Sequence, residues 1–412
     1  MSSTIPGSRW IQSGYGEYKP LSDVIDHPRI FISVAEQSAD EHAAGLVRAY
    51  KALRPSARFN GLAGAALRAE GCECFHDMTT KSAMAMAALA RVPEALRLMK
   101  RLRKHLATEH YDAAVVVDSP ALNLPVAKAC RRVGIPVLYY IAPQTWAWGW
   151  RAWRNARLRD RVSRVACIWP FEEPHFRSDG IDATYVGHPS FDRLAAMQVD
   201  ESRIASLRGD ASPVLTILPG SRGHVIDEVL PGQLEIAKAV SVLNRKSRFI
   251  IVAANDRAAE RIAAVSKETG LNVKYELLRG DADRAAAIRA ADLVLVASGT
   301  ITLEVAYHGT PMIVMYNTAR WGYQLVGRWL LKTPFLSIPN IIAGREIVPE
   351  YMPYYTSTDP IIARVVEWLA TPATLARVRR DLKQTIEPIA KPGAAANAAR
   401  MLDELVRIGS GR

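Results

Sequence analysis

Cysteine is scarce in this sequence. Cys72, Cys74, Cys130 and Cys167 are the four cysteines among 412 residues. Four cysteines in so long a chain do not indicate a disulfide framework, and the Cys-x-Cys pair is too short for the usual zinc or redox spacing. We therefore predict reduced thiols in a cytoplasmic protein.

Long apolar runs are also missing. No stretch approaches the roughly 20 apolar residues of a transmembrane helix, and residues 1–28 are polar with scattered Gly and Pro. We predict a loose extension over 1–28 that is not a signal peptide. Any membrane contact is then expected to be peripheral.

Acidic residues are in the minority. The chain has 53 Lys and Arg against 41 Asp and Glu, a formal net charge of +12. Such an excess is typical of proteins that meet an anionic partner, such as nucleic acid, a phosphate-bearing substrate or an anionic membrane surface. Many basic proteins have no such partner, so the net charge alone does not show whether this protein binds an anionic partner.

Strands and helices alternate along the chain, with glycine turns between them. β-Branched runs such as Ile30 to Val34 are followed by polar turns and amphipathic helices. A second series of alternating strands and helices begins after residue 200. This pattern predicts an α/β fold of two doubly wound, Rossmann-like domains that face a cleft. We place them at 29–200 and 210–365, with helices over 366–412.

The turn "LPGSRG" follows an apolar run and precedes a helical pattern. Gly220 and Gly223 allow close backbone approach, Ser221 is small, and Arg222 can form a forked hydrogen bond to a phosphate. The turn matches neither the dinucleotide fingerprint nor the P-loop. It indicates an anion site, and the alternative is a plain turn with a solvated arginine.

The segment "ASGTITLE" holds a second such turn. Ser298, Gly299 and Thr300 are small enough to let a helix start approach a diphosphate, and Glu304 follows one helical turn later. A carboxylate there can accept both ribose hydroxyls, or can simply favour the helix dipole. No Asp-x-Asp ends a strand, so we predict neither a required metal nor a cofactor.

A candidate base ends the apolar run "AAVVVD". Asp118 should point into the cleft, where a partly desolvated carboxylate can take a proton from a hydroxyl. The alternative is that Asp118 caps the next helix. Glu36 and Asp40 are further candidates for the base, and His42 and His188 are more often structural.

Two segments are basic. "PQTWAWGWRAWRNARLRDRVSR" combines tryptophans with six arginines, and residues 81–106 run from apolar to basic. No nucleic-acid module surrounds them, so we predict no nucleic-acid partner. A phosphorylated acceptor or anionic lipid explains the arginines equally well, and a solvated helix face is the alternative.

Several motifs occur together in the order of a known family. "AEQSAD", "DSPALN", "PQTWAW", "LPGSR", "ASGTITLE" and "SIPNIIAGREIVPE" resemble those of the lipid-A-disaccharide synthase family over roughly residues 30 to 400. The resemblance implies a GT-B fold whose C-terminal helices cross back. It also implies an inverting, metal-independent transfer that joins UDP-2,3-diacylglucosamine to 2,3-diacylglucosamine 1-phosphate and releases UDP.

The resemblance also implies site residues. The catalytic candidates are Asp118, Glu36 and Asp40. The UDP-sugar side comprises Gly220, Ser221, Arg222, Ser298, Gly299, Thr300, Glu304 and Asn340, and the acceptor or membrane side comprises Ser38, Trp146, Trp148, Arg151 and Arg154. The resemblance further allows a homodimer through an exchanged C-terminal segment.

The departures from the family pattern lie on the acceptor side. Ala35, Gln37 and Ala39 replace Gly, Thr and Gly of the first turn, and Ala121 replaces a second aspartate. Three alternatives therefore stay open: a GT-B transferase with another acceptor, a UDP-sugar epimerase, and a UDP-binding paralogue without catalysis.

Overall fold

Two parallel β-sheets organise the protein. The computed structural model describes residues 26–77, 92–147, 149–317 and 333–410. In these residues, seven strands form the first sheet and six form the second. This arrangement confirms the predicted α/β fold with two doubly wound domains.

The first sheet belongs to the N-terminal domain. Its strand order is β3-β2-β1-β4-β5-β6-β7, and neighbouring strands are parallel. The β4 run Ala-Ala-Val-Val-Val is wholly buried, as expected for a central strand covered on both faces. The strands are β1 (Arg29–Ser33), β2 (Arg58–Leu62), β3 (Glu73–His76), β4 (Ala113–Val117), β5 (Val137–Tyr140), β6 (Arg164–Cys167) and β7 (Ala183–Tyr185).

The second sheet has the order β10-β9-β8-β11-β12-β13. Its two central strands are again buried along their whole length, and their one polar residue is Thr216. The strands are β8 (Val214–Leu218), β9 (Arg248–Ala253), β10 (Glu276–Arg279), β11 (Leu293–Ala297), β12 (Met312–Met315) and β13 (Glu350–Tyr351).

Helices cover both faces of the first sheet. One face packs against α1 (Gln37–Leu53), α2 (Ala65–Ala69) and α7 (Pro189–Ala196). The other face packs against α3 (Val92–Thr108), α4 (Pro120–Arg132), α5 (Arg151–Arg159) and α6 (Glu172–Arg177). The helices of the second domain are α8 (Glu201–Arg208), α9 (Gly223–Leu243), α10 (Asp256–Thr269), α11 (Asp281–Ala290), α12 (Ile301–Tyr307), α13 (Ile338–Ala343), α14 (Asp359–Ala370) and α15 (Pro372–Ile386).

The last helix returns to the first domain. Helix α16 (Ala394–Ser410) packs on α1 and α7, whereas α14 and α15 pack on the second domain. Arg54 binds Asp403 at 2.8 Å, and the Asn397 amide donates to the Val186 carbonyl at 2.9 Å. The predicted crossing of the C-terminal helices is therefore confirmed.

No helix within the described residues is both long and apolar enough to cross a membrane.

Close backbone packing inside the first sheet depends on one glycine. A side-chain carbon added at Gly61 of β2 would lie 1.8 Å from the Ile32 carbonyl oxygen, so β1 and β2 keep their spacing only with glycine there.

Candidate functional site

The two glycine turns lie side by side at the carboxyl edge of the second sheet. Strands β8 and β11 pair with Leu218 beside Val296, so the turns that follow them are neighbours. Gly220 has φ of 108° and Gly299 has φ of 150°. A side chain at Gly220 would also meet Val225 at 2.9 Å. Both turns therefore use backbone that glycine tolerates best.

The first turn presents hydrogen-bond donors to solvent. Ser221, Arg222 and Gly223 are exposed, and Arg222 occupies the position that precedes α9. The free amide N–H groups at the start of this 21-residue helix attract an anion. The guanidinium beside them adds a full positive charge. This edge is suited to bind phosphate oxygens.

Arg222 reaches across the cleft to the first domain. Its Nη2 lies 3.0 Å from Oε2 of Glu36, the residue before α1, and the two side chains are 66% and 44% exposed. Ser38, two residues after Glu36, is also exposed. An exposed pair of this kind contributes little to stability. It does bring the expected diphosphate arginine beside a candidate catalytic carboxylate.

Asp118 lies in a strained turn at the end of β4. Asp118 has φ of 52° and Ser119 has φ of 43°, both in the left-handed region. The Tyr139 hydroxyl donates to the Asp118 carbonyl at 2.6 Å, and the buried Asn123 amide donates to the same oxygen at 2.8 Å. Ser33 in turn donates to Asn123 at 2.7 Å. Strain held by surrounding hydrogen bonds is frequent at functional sites.

The electrostatics of Asp118 suit a proton acceptor. Burial raises the pKa of its carboxyl, the Ser119 backbone N–H opposes this rise, and the negative charge of Glu36 adds to it. Helix α4 begins at Pro120 with Ser119 at the cap position, so the alternative that Asp118 caps this helix is not supported. Strands β1 and β4 are neighbours, which brings the segments bearing Glu36 and Asp118 together.

Asp40 is a helix cap in the structure, in contrast to its expected role as a further candidate base. Its side chain is 2% exposed, and its carboxylate accepts hydrogen bonds from the backbone N–H groups of Gly64 and Ala66, both at 2.8 Å, and of Leu67 at 3.4 Å. These hydrogen bonds hold the start of α2 in place. We therefore assign Asp40 a structural role.

Glu304 is engaged by two arginines. Arg284 donates to Oε1 at 2.9 Å and to Oε2 at 3.2 Å, and Arg193 of α7 donates to Oε2 at 2.8 Å. Asp281 binds both arginines, and Glu304 is 3% exposed. As it stands, the carboxylate has little room for ribose hydroxyls. Arg193 and Arg284 were missed by sequence reasoning because they lie far from Glu304 in the sequence and outside any motif.

Asn340 braces a loop and does not face the cleft. It is fully buried, its amide donates to the Val348 carbonyl at 2.8 Å and to Glu350 at 2.7 Å, and its oxygen accepts from the Ile347 N–H at 2.8 Å. Both ends of the Asn340 side chain are thus bound by groups of this chain, and its contact with a nucleotide stays a prediction. Its helix, α13, nevertheless contributes to the cleft through other side chains.

Trp146 is held by a buried acid. Its indole N–H donates to Glu172 Oε1 at 3.0 Å, and Oε2 accepts from the N–H groups of Ile168 and Trp169 at 3.0 and 3.1 Å. Burial raises the pKa of the Glu172 carboxyl to about 7, although these three hydrogen bonds oppose the rise. Sequence reasoning missed Glu172, because a lone acid that follows Phe171 gives no indication of its partner.

Two further residues expected on the acceptor side, Arg151 and Arg154, lie in α5. Arg151 pairs with Asp179 at 2.9 Å, and Arg154 donates to the Gly149 carbonyl at 3.1 Å. Trp148 falls outside the described residues. Arg151 and Arg154 are thus local contacts of the outer helical layer, so nothing in their geometry ties them to an acceptor phosphate.

The histidines His42, which is half-buried, and His188, which is buried, lie side by side. Their ring centroids are 6.5 Å apart, and Trp169 packs on His188 at 4.5 Å. Burial lowers the pKa of His188 to about 3 and that of His42 to about 4. His188 Nδ1 accepts a hydrogen bond from the Ser190 N–H at 3.1 Å. This contact supports a structural role for His188.

A cavity lies between the two domains beside the second glycine turn. Its volume is about 220 Å³. The first domain supplies aromatic side chains, and the second supplies aliphatic ones. The cavity is lined by Gln144, Trp146, Trp169, Phe171, Ser298, Gly299, Thr300, Leu336, Ile338, Ile341 and Ile342.

Fold and site together define a class of protein. Two doubly wound domains that face a cleft, with an edge of the second sheet suited to an anion and carboxylates on the first sheet, are the features of a GT-B glycosyltransferase. The family model described as lipid-A-disaccharide synthetase matches residues 30–403. The chain belongs to this family and is a hexosyltransferase.

Relatives with curated names are similar over almost their full length. The chain is 35% identical to the lipid-A-disaccharide synthase of Syntrophus aciditrophicus (strain SB), covering 92% of this chain and 98% of that protein. It is likewise 35% identical to the enzyme of that name from Myxococcus xanthus (strain DK1622), with the same coverage.

Solved structures share the fold at low sequence identity. A UDP-GlcNAc 2-epimerase from Neisseria meningitidis bound to UDP-GlcNAc has a TM-score of 0.55 and 12% identity, covering 92% of this chain and 100% of its own. The Acinetobacter baumannii MurG structure has a TM-score of 0.53 and 16% identity, covering 92% and 99%. These likenesses concern the fold alone.

Proposed function

We propose that the protein joins UDP-2,3-diacylglucosamine to 2,3-diacylglucosamine 1-phosphate, forms the β-1,6-linked lipid A disaccharide and releases UDP. One observation carries the proposal. The phosphate-binding edge of the second sheet meets the carboxylate edge of the first, and Arg222 contacts Glu36 at 3.0 Å where they meet. Donor and acceptor groups can thus be bound on opposite sides of one cleft.

In this mechanism Asp118 is the base. It removes the proton of the acceptor hydroxyl while that oxygen attacks the anomeric carbon of the donor. The bond from that carbon to the diphosphate oxygen breaks, and the configuration inverts. The raised pKa of Asp118 makes it a stronger proton acceptor than an exposed aspartate.

The leaving diphosphate gains negative charge as the bond breaks. Arg222 and the N–H groups of the two glycine turns are arranged to stabilise that charge. Glu36 would then exchange its contact with Arg222 for solvent or acceptor. A ribose reaches Glu304 only if Arg193 withdraws, and Arg193 belongs to the opposite domain, so domain rotation would open that position.

The outer helical layer of the first domain suits an anionic membrane. Helices α3, α4 and α5, here termed the basic layer, contain twelve Lys and Arg and one acid, Glu94. The net charge of these three helices is +11, and that of the whole chain is +12. The excess positive charge is therefore concentrated in this layer. Leu96, Trp150 and Trp153 are 65%, 71% and 57% exposed there. Exposed tryptophans beside arginines are typical of interfacial contact.

We extend this proposal to the location of the enzyme. The basic layer is proposed to rest on the inner face of the inner membrane, where acylated substrates reside. Residues 92–106 of the predicted basic segment 81–106 fall in α3, and residues 81–91 lie outside the described part of the chain. A homodimer by exchange of α16 stays a proposal, since α16 here packs on its own chain.

Calorimetry with UDP tests the donor half of the proposal. Replacing Arg222 with Ala should weaken UDP binding by roughly ten- to a hundredfold, because a charge-assisted hydrogen bond contributes about 1.5–3 kcal/mol. Arg257→Ala, which removes an exposed arginine from α10, is the matched control and should bind UDP as the wild type does. Wild-type protein that binds no UDP would overturn the proposal.

A further inference from the structure

The cavity beside the second glycine turn is an apolar space with one polar side. Its aromatic wall is Trp146, Trp169 and Phe171 of the first domain, and its aliphatic wall comes from Leu336 and helix α13. The polar side consists of Gln144 and the Ser-Gly-Thr turn. A ligand group that enters this space from the turn meets hydrocarbon on both sides.

The lining discriminates between ligand groups. A nucleobase presents several donors and acceptors at its edge, and each needs a partner when water is excluded. Away from the glycine turn, the residues that line this described cavity and carry a polar side-chain group are Gln144, Trp146 and Trp169, and the Trp146 N–H is already bound by Glu172. A hydrocarbon chain needs no such partners and gains from burial. The chemistry of the walls therefore favours an acyl chain over a base.

We propose that this cavity is the binding site for one hydrocarbon chain of the donor, entered from the sugar whose diphosphate is held at the Ser298–Thr300 turn. The inference rests on the proposed function, because it takes that turn as the donor side. The two domains contribute one wall each, so the chain would be bound only when the cleft is assembled.

The aromatic wall is fixed before any ligand arrives. Trp146 is oriented by its 3.0 Å hydrogen bond to Glu172, which is fully buried, and Phe171 meets the Trp146 ring edge-on at 5.0 Å between centroids. Because these side chains are already ordered, binding a chain between the walls loses little conformational entropy. Glu172 is in this sense a positioning residue for the wall.

The size of the cavity limits what it can hold. Its volume of about 220 Å³ is below the roughly 300–1,000 Å³ of pockets that enclose whole ligands. It therefore suits a single chain and no more. Donor affinity should increase by up to roughly fourfold for each methylene that is buried, and should stop increasing once the cavity is full.

Calorimetry with a series of donors tests this inference. UDP-glucosamine carrying acetyl, hexanoyl, decanoyl or myristoyl chains would be titrated into the wild type and into Ile342→Trp, which fills the cavity from α13. The wild type should bind longer chains more tightly up to a plateau. Ile342→Trp should lose most of that dependence and keep the affinity for UDP itself.

Ile408→Trp is the matched control, since Ile408 is 59% exposed on α16 and far from the cavity in the fold. It should retain the full dependence on chain length. If Ile342→Trp also lost UDP affinity, the smaller filling variant Ile338→Phe would replace it in the comparison.

The outcomes separate the two proposals. Wild-type protein that binds UDP but shows no dependence on chain length would overturn the acyl site and leave the proposed function intact. Retention of the full dependence by the filling variant would also place the chain elsewhere. Failure to bind UDP at all would remove the proposed function, and with it the basis of this inference.

Discussion

At the scale of single residues, two carboxylates compete for the role of base. Asp118 and Glu36 follow neighbouring strands, and the charge of Glu36 helps to raise the pKa of Asp118. If Asp118 is the base, activity is lost as the pH falls through its raised pKa. Glu36 then matters through its charge and through Arg222.

Two substitutions distinguish these roles. Asp118→Asn should lower turnover by roughly a hundred- to ten-thousandfold while UDP binding survives. Glu36→Gln should keep turnover and shift the acid limb of the kcat/KM profile to lower pH, because Asp118 loses a negative neighbour. Steady-state rates measured across the pH range check both. Abolished turnover in Glu36→Gln alone would identify Glu36 as the base instead.

For single residues, the sequence indicated where the candidate residues lie in the fold, but it did not indicate which groups their side chains bind. Arg222 and the Ser298 turn could be predicted because glycines, small residues and a strand end mark them locally. The sequence predicts Asp40 as a candidate base and Asn340 as a nucleotide contact, yet both bind backbone groups that only folding brings near. Single residues do not reveal such long-range hydrogen bonds.

At the scale of elements, helix α7 belongs to the first domain and contacts the second through Arg193, which binds Glu304. His188 precedes this helix and accepts the Ser190 N–H, with a pKa lowered to about 3 chiefly by burial and further by His42. The unfolded chain therefore takes up the proton first, near the ordinary value of 6.5. The stability contributed by neutral His188 is complete above that value and is lost as the pH falls below it.

His188→Asn keeps an acceptor for the helix cap but cannot titrate. Between about pH 7.5 and about pH 5.5, the variant should lose roughly 1 kcal/mol less unfolding free energy than the wild type. Urea denaturation at the two pH values measures this difference. Equal losses in the two proteins would show that His188 carries its proton in the folded state.

Element order was the part of the fold most accessible from the sequence. Apolar runs such as "AAVVV" and "LVLVA" can only be buried strands when they alternate with helices, and both are central in their sheets. The network of Arg193, Arg284 and Glu304 was not accessible, because it joins α7, α11 and α12 across the cleft.

At the scale of the whole molecule, charge is unevenly distributed. The basic layer holds nearly all of the excess positive charge, so the protein should bind vesicles that contain anionic phosphatidylglycerol and not vesicles of neutral phosphatidylcholine. Each Lys or Arg near such a surface contributes about 1 kcal/mol, and added salt should weaken the binding.

Neutralising Arg97, Lys100 and Lys104 on α3 to Gln should lower vesicle partitioning by roughly a hundredfold. The matched control neutralises three exposed cations of the second domain, Arg245, Lys246 and Lys274. Flotation of both variants measures the effect. An equal decrease in the two would mean that overall charge, and not the basic layer, attracts the protein.

The path of the chain between the domains sets how they can move. It passes from α7 to α8 through residues 197–200, and it returns from α15 to α16 through 387–393. The second passage ends beside the first, because Asp192 of α7 accepts the Ala395 N–H at 2.9 Å. Two chain crossings that lie together are expected to act as one hinge between the domains. Closure about this hinge would bring Arg222 back to its contact with Glu36.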